Sequence, residues 1–224
     1  GRAEAAEPLF AAAVAMASRL QPEGHPRTAR FLANRAMALV QLRRLGEAEV
    51  ALRTALAMTE RAFAGDHPDL LTRRSQLGQV LRDLGRGDAA VVEFAGALAM
   101  ARRLFAGDHP RTADCLEQLG DLRVQRGEAD GVVLLAEALA MRRRLHPGDH
   151  PDVAHVLAAH AKAQGKNGDP AAIEAALLEA LAMTRRLHPG DHADVRARLR
   201  DLGFHHWSTR EHDAAAREFG EALA

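Results

Sequence analysis

The sequence predicts an all-α protein built from repeated pairs of helices. Hydrophobic residues make up 47% of its 224 residues, but aromatic residues make up only 4%, and the apolar content is rich in alanine and leucine. Alanine and straight-chain residues favour helices, whereas strands prefer β-branched and aromatic residues. A short motif with histidine and proline also returns at a nearly constant interval along the chain, and such a period is typical of helical repeat proteins.

The repeat is marked by histidines spaced 42, 42, 41 and 42 residues apart, with a methionine nine residues before each one. The histidines are His25, His67, His109, His150 and His192. The methionines, interpreted as a core stripe, are Met16, Met58, Met100, Met141 and Met183. One domain over residues 1–224 is therefore expected, with a half repeat at 1–24 and repeats at about 25–66, 67–108, 109–149, 150–191 and, truncated, 192–224.

Each repeat reads as two helices. The first begins at the proline after the histidine, because proline suits the first helical position, and the Asp-His pair before it is expected to cap it. The second helix ends in arginines, which the negative end of a helix favours, and a glycine follows. Asp169 is the predicted N-cap of one second helix, and Ser208 to Glu211 form a predicted capping box for another. The predicted turns within repeats are Leu45–Gly46, Gly85–Gly87, Arg126–Gly127 and Lys166–Asp169.

Small and large residues recur at fixed positions of the two helices, which marks packed helical faces. Eleven residues after each histidine lie Ala36, Gly78, Gly120, Ala161 and Gly203. The large position of the second helix holds Leu52, Phe94, Leu135, Leu177 and Phe219. One helical hairpin cannot bury such a face alone, so consecutive hairpins are expected to stack into an α-solenoid.

The third repeat shows the pattern well, with Leu116, then Leu119–Gly120, then a small residue, a large residue and alanine in the second helix. This pattern resembles the tetratricopeptide repeat. The repeat length and the Gly-Asp-His-Pro boundary resemble the kinesin-light-chain type, which also occurs in bacterial signalling proteins. The resemblance covers essentially the whole chain and implies a right-handed superhelix. The sequence departs from the pattern at Arg74, Arg123, Gln164, Ile173 and His206.

In the resembling family, the first helices line a groove that holds an extended peptide or a partner's helix. The resemblance places its groove positions 5, 9, 12 and 16 residues after each histidine, and we name these positions the first-helix stripe. The candidate binding residues are Arg30, Asn34, Met37, Gln41, Thr72, Gln76, Gln79, Asp83, Asp114, Gln118, Asp121, Gln125, His155, Lys162, Lys166, Asp201 and Phe204.

The stripe is mostly polar. Asn34 matches the asparagine that the family often uses to hold a peptide backbone, and Gln76 and Gln118 offer the same donors and acceptor. Charge changes sign along the stripe, because Asp83, Asp114 and Asp121 are acidic whereas Lys162 and Lys166 are basic. A partner with basic groups near the aspartates and an acidic group near Lys162 would fit. The alternative is that the stripe is plain solvated surface.

Several other functions are disfavoured. With 30 basic and 30 acidic residues, the chain lacks the basic excess of nucleic-acid-binding proteins. His146, His150, His188 and His192 fall at repeat boundaries, so we interpret them as structural residues and predict no metal site. Cys115 has no local signature of a catalytic thiol. We therefore predict no enzyme activity, no catalytic residue and no cofactor.

A lone cysteine favours a reducing compartment, so a cytoplasmic location is expected. No apolar run approaches the roughly 20 residues that span a bilayer, which argues against a membrane partner. The preference for arginine over lysine indicates a GC-rich bacterial genome. Residues 1–20 match half a repeat, so we expect a fragment of a longer protein whose uncapped ends self-associate.

The leading interpretation is a scaffold that binds a protein or peptide in its groove. One alternative is a structural spacer or oligomerisation module. Another is a regulatory segment of a larger bacterial signalling protein such as a protein kinase.

Overall fold

A computed structural model describes residues 2–21 and 25–223, apart from the side chain of Lys166. Within these residues it contains eleven α-helices, one short 3-10 helix at Gly165–Asn167 and no strand, which confirms the all-α prediction. The helices are α1 (Arg2–Leu20), α2 (Pro26–Gln41), α3 (Leu45–Ala62), α4 (Pro68–Asp83), α5 (Gly87–Leu104), α6 (Pro110–Gln125), α7 (Asp130–Leu145), α8 (Pro151–Gln164), α9 (Pro170–Leu187), α10 (Ala193–Ser208) and α11 (His212–Leu223).

The chain divides into two compact units, Gly1–Ala106 and Gly107–Ala224, which we call the N-terminal and C-terminal units. In the N-terminal unit each of α1 to α5 packs against the helix that follows it within the unit. In the C-terminal unit α6 to α11 pack in the same sequential manner. This packing of successive hairpins confirms the helix-turn-helix repeats of the predicted α-solenoid class. Among the described helices, none combines the length and the apolar character that crossing a membrane requires.

The boundary histidines cap the first helices, as predicted. In every repeat Nδ1 of the histidine accepts the backbone N–H two residues further on, for example Asp69 N to His67 Nδ1 at 3.1 Å. Proline then occupies the first helical position in four of the five, and fits because its missing N–H needs no partner there. The histidine-proline motif therefore begins helices.

Two predicted helix boundaries are wrong. Leu45–Gly46 is the start of α3, and the preceding turn uses Arg43 with φ 60° rather than a glycine. Ser208 is the last residue of α10, where its Oγ donates to the carbonyl of His205, and α11 begins only at His212. The Asp169 cap is confirmed, because its Oδ1 accepts the N–H of Ala171 at 3.2 Å.

The core lies between the two helices of each hairpin. Gly78 faces the ring of Phe94, and Gly203 faces the ring of Phe219, so glycine admits the larger residue opposite. The methionine stripe is confirmed for Met100, Met141 and Met183, each 6% exposed. It is wrong for Met16, which is 58% exposed and lies on α1, a helix without buried residues.

Arginines near the ends of second helices bond to the aspartates of preceding boundaries. Bidentate pairs join Arg103 to Asp66, Arg144 to Asp108 and Arg186 to Asp149, at 2.5 to 2.9 Å. These hydrogen bonds hold the pKa of each aspartate below its ordinary value. Each pair lies at the surface, where an ion pair contributes little to the free energy of folding. The main effect of the pairs is therefore to orient the end of each second helix relative to the preceding repeat boundary.

Two of the departures from the repeat pattern, Arg74 and His206, are accommodated by polar contacts. Arg74 bonds to both Glu60 and Glu93 at 3.0 Å. His206, at a position that holds Leu39 and Leu81 in earlier repeats, is 5% exposed and contacts Glu218 at 2.9 Å and Glu174 at 3.2 Å. Burial lowers the pKa of His206, but the two carboxylates outweigh burial and raise it above the ordinary value.

The His206 cluster predicts a pH dependence of stability. Because the folded-state pKa is raised, the stabilisation is fully present below the unfolded value of about 6.5 and is lost as pH rises through the folded pKa. His206→Leu removes this component and restores the residue type of earlier repeats. Urea unfolding at a series of pH values should therefore show the wild type losing stability relative to the variant as pH rises. Parallel pH profiles of the two proteins would contradict this assignment.

Candidate functional site

In the N-terminal unit, the first-helix stripe on α2 is open to solvent. Arg30, Asn34, Met37 and Gln41 are exposed, and buried alanines lie between them along the helix. Within the described part of the chain, the side chains of Arg30, Asn34 and Gln41 form no hydrogen bond. The amides of this helix are therefore available to a ligand.

The stripe on α4 is partly satisfied by contacts along its own helix. Gln79 Nε2 donates to Asp83 Oδ1 at 2.9 Å, and Arg82 donates to Gln79 Oε1 at 2.7 Å. Thr72 donates to the carbonyl of Pro68 at 2.9 Å. The carboxylate of Asp83, predicted to bind basic groups of a partner, thus accepts a hydrogen bond from its neighbour Gln79 on α4.

A buried arginine, Arg73, lies next to the stripe on α4 and is not among the residues predicted for the site. Arg73 is 7% exposed, and its Nη1 donates to Oε1 of Gln76 at 2.8 Å, while its buried Nε has no partner among the described residues. Burial lowers the pKa of Arg73, with the charge of Asp69 opposing this and that of Arg30 adding to it. The available signal was an arginine at a position that is apolar in three of the five repeats, as Phe31, Cys115 and Val156.

In the C-terminal unit, an arginine from a second helix offsets the predicted acidic region. Arg142 of α7 replaces the small residues found at this position in other repeats, and its side chain is 5% exposed. It bonds to Asp114 of the stripe and contacts Asp152 at 3.0 Å and Glu117 at 3.9 Å. Asp114 is therefore already paired within the chain.

Two further stripe residues of this unit are paired as well. His155 Nε2 lies 3.0 Å from Oε1 of Glu117, and this hydrogen bond raises the pKa of His155. Lys162 Nζ donates to Oδ1 of Asp201 at 2.8 Å, and Asp201 itself is only 8% exposed. The acidic group that was expected from a partner near Lys162 is thus provided by Asp201 of the same chain.

The remaining stripe residues of this unit differ in exposure. Phe204 is 60% exposed and meets Phe219 edge-on at 5.3 Å between ring centroids. It lines a cavity of about 180 Å³ with Ala161, Ile173 and Leu177 among its walls. Gln118 and Asp121 are half-buried and Gln125 is exposed, whereas the side chain of Lys166 lies outside the described residues.

The boundary histidines form stacked pairs. The rings of His146 and His150 lie 3.6 Å apart, and those of His188 and His192 lie 4.0 Å apart. With Asp152 and Asp194 respectively, the potential ligand atoms of each group lie within 4.8 Å of one another. An equivalent stack at 3.6 Å joins Phe63 to His67, so the stack serves packing, and a metal bound at Nδ1 of the capping histidine would displace the helix cap.

Two further residues are Cys115, which the sequence does not mark as a catalytic thiol, and Trp207, the single tryptophan of the chain. Cys115 is buried and forms no disulfide within the described residues. Trp207 is 61% exposed and meets His212 edge-on at 4.9 Å.

Successive helical hairpins, with a polar stripe on the first helix of each, define an α-helical repeat protein, a class whose members typically present binding surfaces. Tetratricopeptide repeat models match residues 27–91, 69–131 and 112–152. The chain belongs to the tetratricopeptide repeat family. No curated protein matches the sequence.

Solved structures show the same fold. BtubC (BKLC) from P. vanneervenii superimposes with a TM-score of 0.82 at 21% identity, covering 100% of this chain and 90% of that one. The nearly identical repeats of a kinesin-light-chain-like protein from Podosopora anserina give 0.77 at 18% identity, covering 89% and 94%. NprR in complex with its cognate peptide NprX gives 0.65 at 11% identity, covering 89% and 56%. The resemblance to the kinesin-light-chain type is thereby confirmed.

Proposed function

We propose that the protein is a scaffold that binds a peptide segment of a partner protein on the N-terminal stripe, formed by Arg30, Asn34, Met37, Gln41, Thr72, Gln76, Gln79 and Asp83. The observation that carries the proposal is the contrast between the stripe on α2 and the stripe of the C-terminal unit. Among the described residues, Arg30, Asn34 and Gln41 of the stripe on α2 have no side-chain hydrogen-bond partner. Stripe residues of the C-terminal unit are paired within the chain, namely Asp114, His155, Lys162 and Asp201.

The chemistry of the N-terminal stripe suits an extended peptide. Asn34 and Gln41 each offer an amide donor pair and an acceptor, which can satisfy the backbone N–H and C=O groups of a bound chain. Met37 is 39% exposed between them, and its flexible thioether adapts to varied apolar side chains. The fold of NprR, solved with its peptide NprX, supports a peptide as the kind of ligand.

A library of random dodecamer peptides displayed on phage tests the proposal. Peptides enriched on the immobilised protein should lose at least about tenfold in affinity when Asn34 and Gln76 are both changed to alanine, since each lost amide leaves backbone groups of the peptide unpaired. Fluorescence polarisation of a labelled enriched peptide measures the change. The measurement is made well below the melting temperature of both proteins, because Gln76→Ala also removes the hydrogen bond from the buried Arg73.

Matched controls lie on second helices of the same unit. Val50 and Val92 are 67% and 65% exposed on α3 and α5, and their change to alanine should leave peptide affinity intact. Gln118→Ala, in the C-terminal unit, serves as a second comparator. If enriched peptides bind the Asn34 and Gln76 double variant as well as the wild type, the N-terminal stripe is not the binding surface.

A further inference from the structure

The turn between α8 and α9 contains the dipeptide Asn167-Gly168, and the chain has only one other asparagine, Asn34. Asn167 is exposed, and its side chain forms no hydrogen bond with the described residues. An asparagine side chain can be attacked by the backbone nitrogen of the residue that follows it. The attack is fastest when that residue is glycine, because glycine has no side chain to shield the reacting carbon.

The local backbone leaves the nitrogen of Gly168 available for this attack. Asn167 is the last residue of the 3-10 helix Gly165–Asn167, and the N–H of Gly168 donates to the carbonyl of Gly165 at 3.4 Å. Backbone hydrogen bonds are usually about 2.9 to 3.0 Å long, so this bond is weak. Little free energy is therefore lost when the turn rotates to bring the nitrogen of Gly168 towards Cγ of Asn167.

The packing around the turn requires glycine at position 168. A Cβ added there would lie 2.7 Å from Cβ of Gln164 and 2.9 Å from Cδ1 of Ile173. A larger residue, which would slow the attack on Asn167, does not fit without a shift of these neighbours. The fold therefore retains the residue that makes Asn167 most reactive.

We propose that Asn167 is a site of spontaneous deamidation, and that the isoaspartate formed there alters the turn between α8 and α9. The nitrogen of Gly168 bonds to Cγ of Asn167, the bond from Cγ to the side-chain nitrogen breaks, and ammonia leaves with the proton of Gly168. Water then opens the resulting succinimide. Cleavage of the new bond to Cγ gives aspartate, whereas cleavage of the bond from Gly168 N to the main-chain carbonyl carbon of residue 167 gives isoaspartate.

Isoaspartate changes the turn more than aspartate does. Both products place a carboxylate two residues before Asp169, the N-cap of α9. In isoaspartate the main chain also runs through the former side chain, which adds a methylene group to the backbone. Because Gln164 and Ile173 already fill the space beside Gly168, the longer backbone cannot follow the same path.

Incubation of the purified chain at mildly alkaline pH and physiological temperature tests the proposal. Peptide mapping by mass spectrometry should show residue 167 gaining the mass difference between a hydroxyl and an amino group. An isoaspartyl methyltransferase with labelled S-adenosylmethionine should label the same peptide. Asn34 is the control within the chain, because it lies inside α2 and is followed by Arg35. We expect Asn34 to react at least about tenfold more slowly, which corresponds to about 1.4 kcal/mol of activation free energy.

Asn167→Gln is the matched variant, because the longer amide side chain would have to close a larger ring and should not become labelled. The proposal is overturned by the absence of a mass gain at residue 167, by equal rates at Asn167 and Asn34, or by unchanged labelling of Asn167→Gln. A rate in urea more than about tenfold above that of the folded chain would show that the native turn protects Asn167, and would also overturn it.

Thermal melting tests the effect on the turn. The deamidated fraction that contains isoaspartate, separated by anion exchange, should have a lower Tm than Asn167→Asp, because both carry the new charge and only isoaspartate lengthens the backbone. Equal Tm values would show that the turn accepts the added methylene group, and the inferred change of the turn would be rejected.

Discussion

Gly131→Ala is expected to lower the free energy of unfolding by about 3 kcal/mol, because the new methyl group would meet backbone that has no room to move. An added Cβ would lie 2.7 Å from the backbone N of Val124 and 2.8 Å from the carbonyl O of Gly120. Both atoms belong to α6, which lies against the start of α7 at this point. Urea unfolding monitored by circular dichroism measures the loss.

Gly220→Ala provides the control for this substitution. Gly220 lies in α11, and an added Cβ would meet no described atom within 4 Å. Alanine there should stabilise the protein by up to about 1 kcal/mol, since it reduces the conformational freedom of the unfolded chain. If Gly131→Ala is as well tolerated as Gly220→Ala, the close approach of α6 and α7 is incorrect.

Gly78→Ala is expected to cost about 2 kcal/mol, and Phe94→Leu introduced with it should recover much of the loss. An alanine Cβ at Gly78 would lie 2.7 Å from Cε1 of Phe94, which is fully buried. Phe94→Leu alone should cost about 1 to 2 kcal/mol through the cavity it leaves. The double variant reproduces the alanine–leucine pair of the first and fourth repeats.

A double-mutant cycle on the urea unfolding free energies measures this coupling. The two changes should be less costly together than the sum of their separate effects by about 1 kcal/mol or more, because the smaller side chain vacates the volume that the methyl group needs. Simple additivity would mean that Gly78 and Phe94 do not share one packing volume.

These glycine contacts also show how far the sequence predicts the fold. The exchange of Gly–Phe pairs for Ala–Leu pairs is visible in the aligned repeats, and the structure explains it by direct contact. The third repeat is the exception, since Gly120 faces Leu135. The third repeat is also one residue shorter than the others, as the histidine spacing of 41 shows. Its second helix, α7, starts at Asp130, where Gly131 allows the close approach of α6.

The candidate site was less predictable, for a physical reason. Helical periodicity places residues on a face, but it does not state whether a charge on that face is paired. The partners of Asp114 and Lys162 come from other helices, through Arg142 and Asp201, and no local pattern connects them. The buried state of Arg73 is likewise set by its neighbours, although its occurrence at a commonly apolar position was visible.

The bonds between arginines and boundary aspartates have a consequence for how such a chain changes in length. Each joins residues separated by 36 or 37 positions, which is less than one repeat. Each aspartate lies at the end of one repeat and its arginine near the end of the next. Excision of a whole repeat therefore leaves an equivalent aspartate in front of the following arginine, so that the pair can form again. A gene encoding this protein can gain or lose modules in evolution without requiring compensating changes elsewhere on its surface.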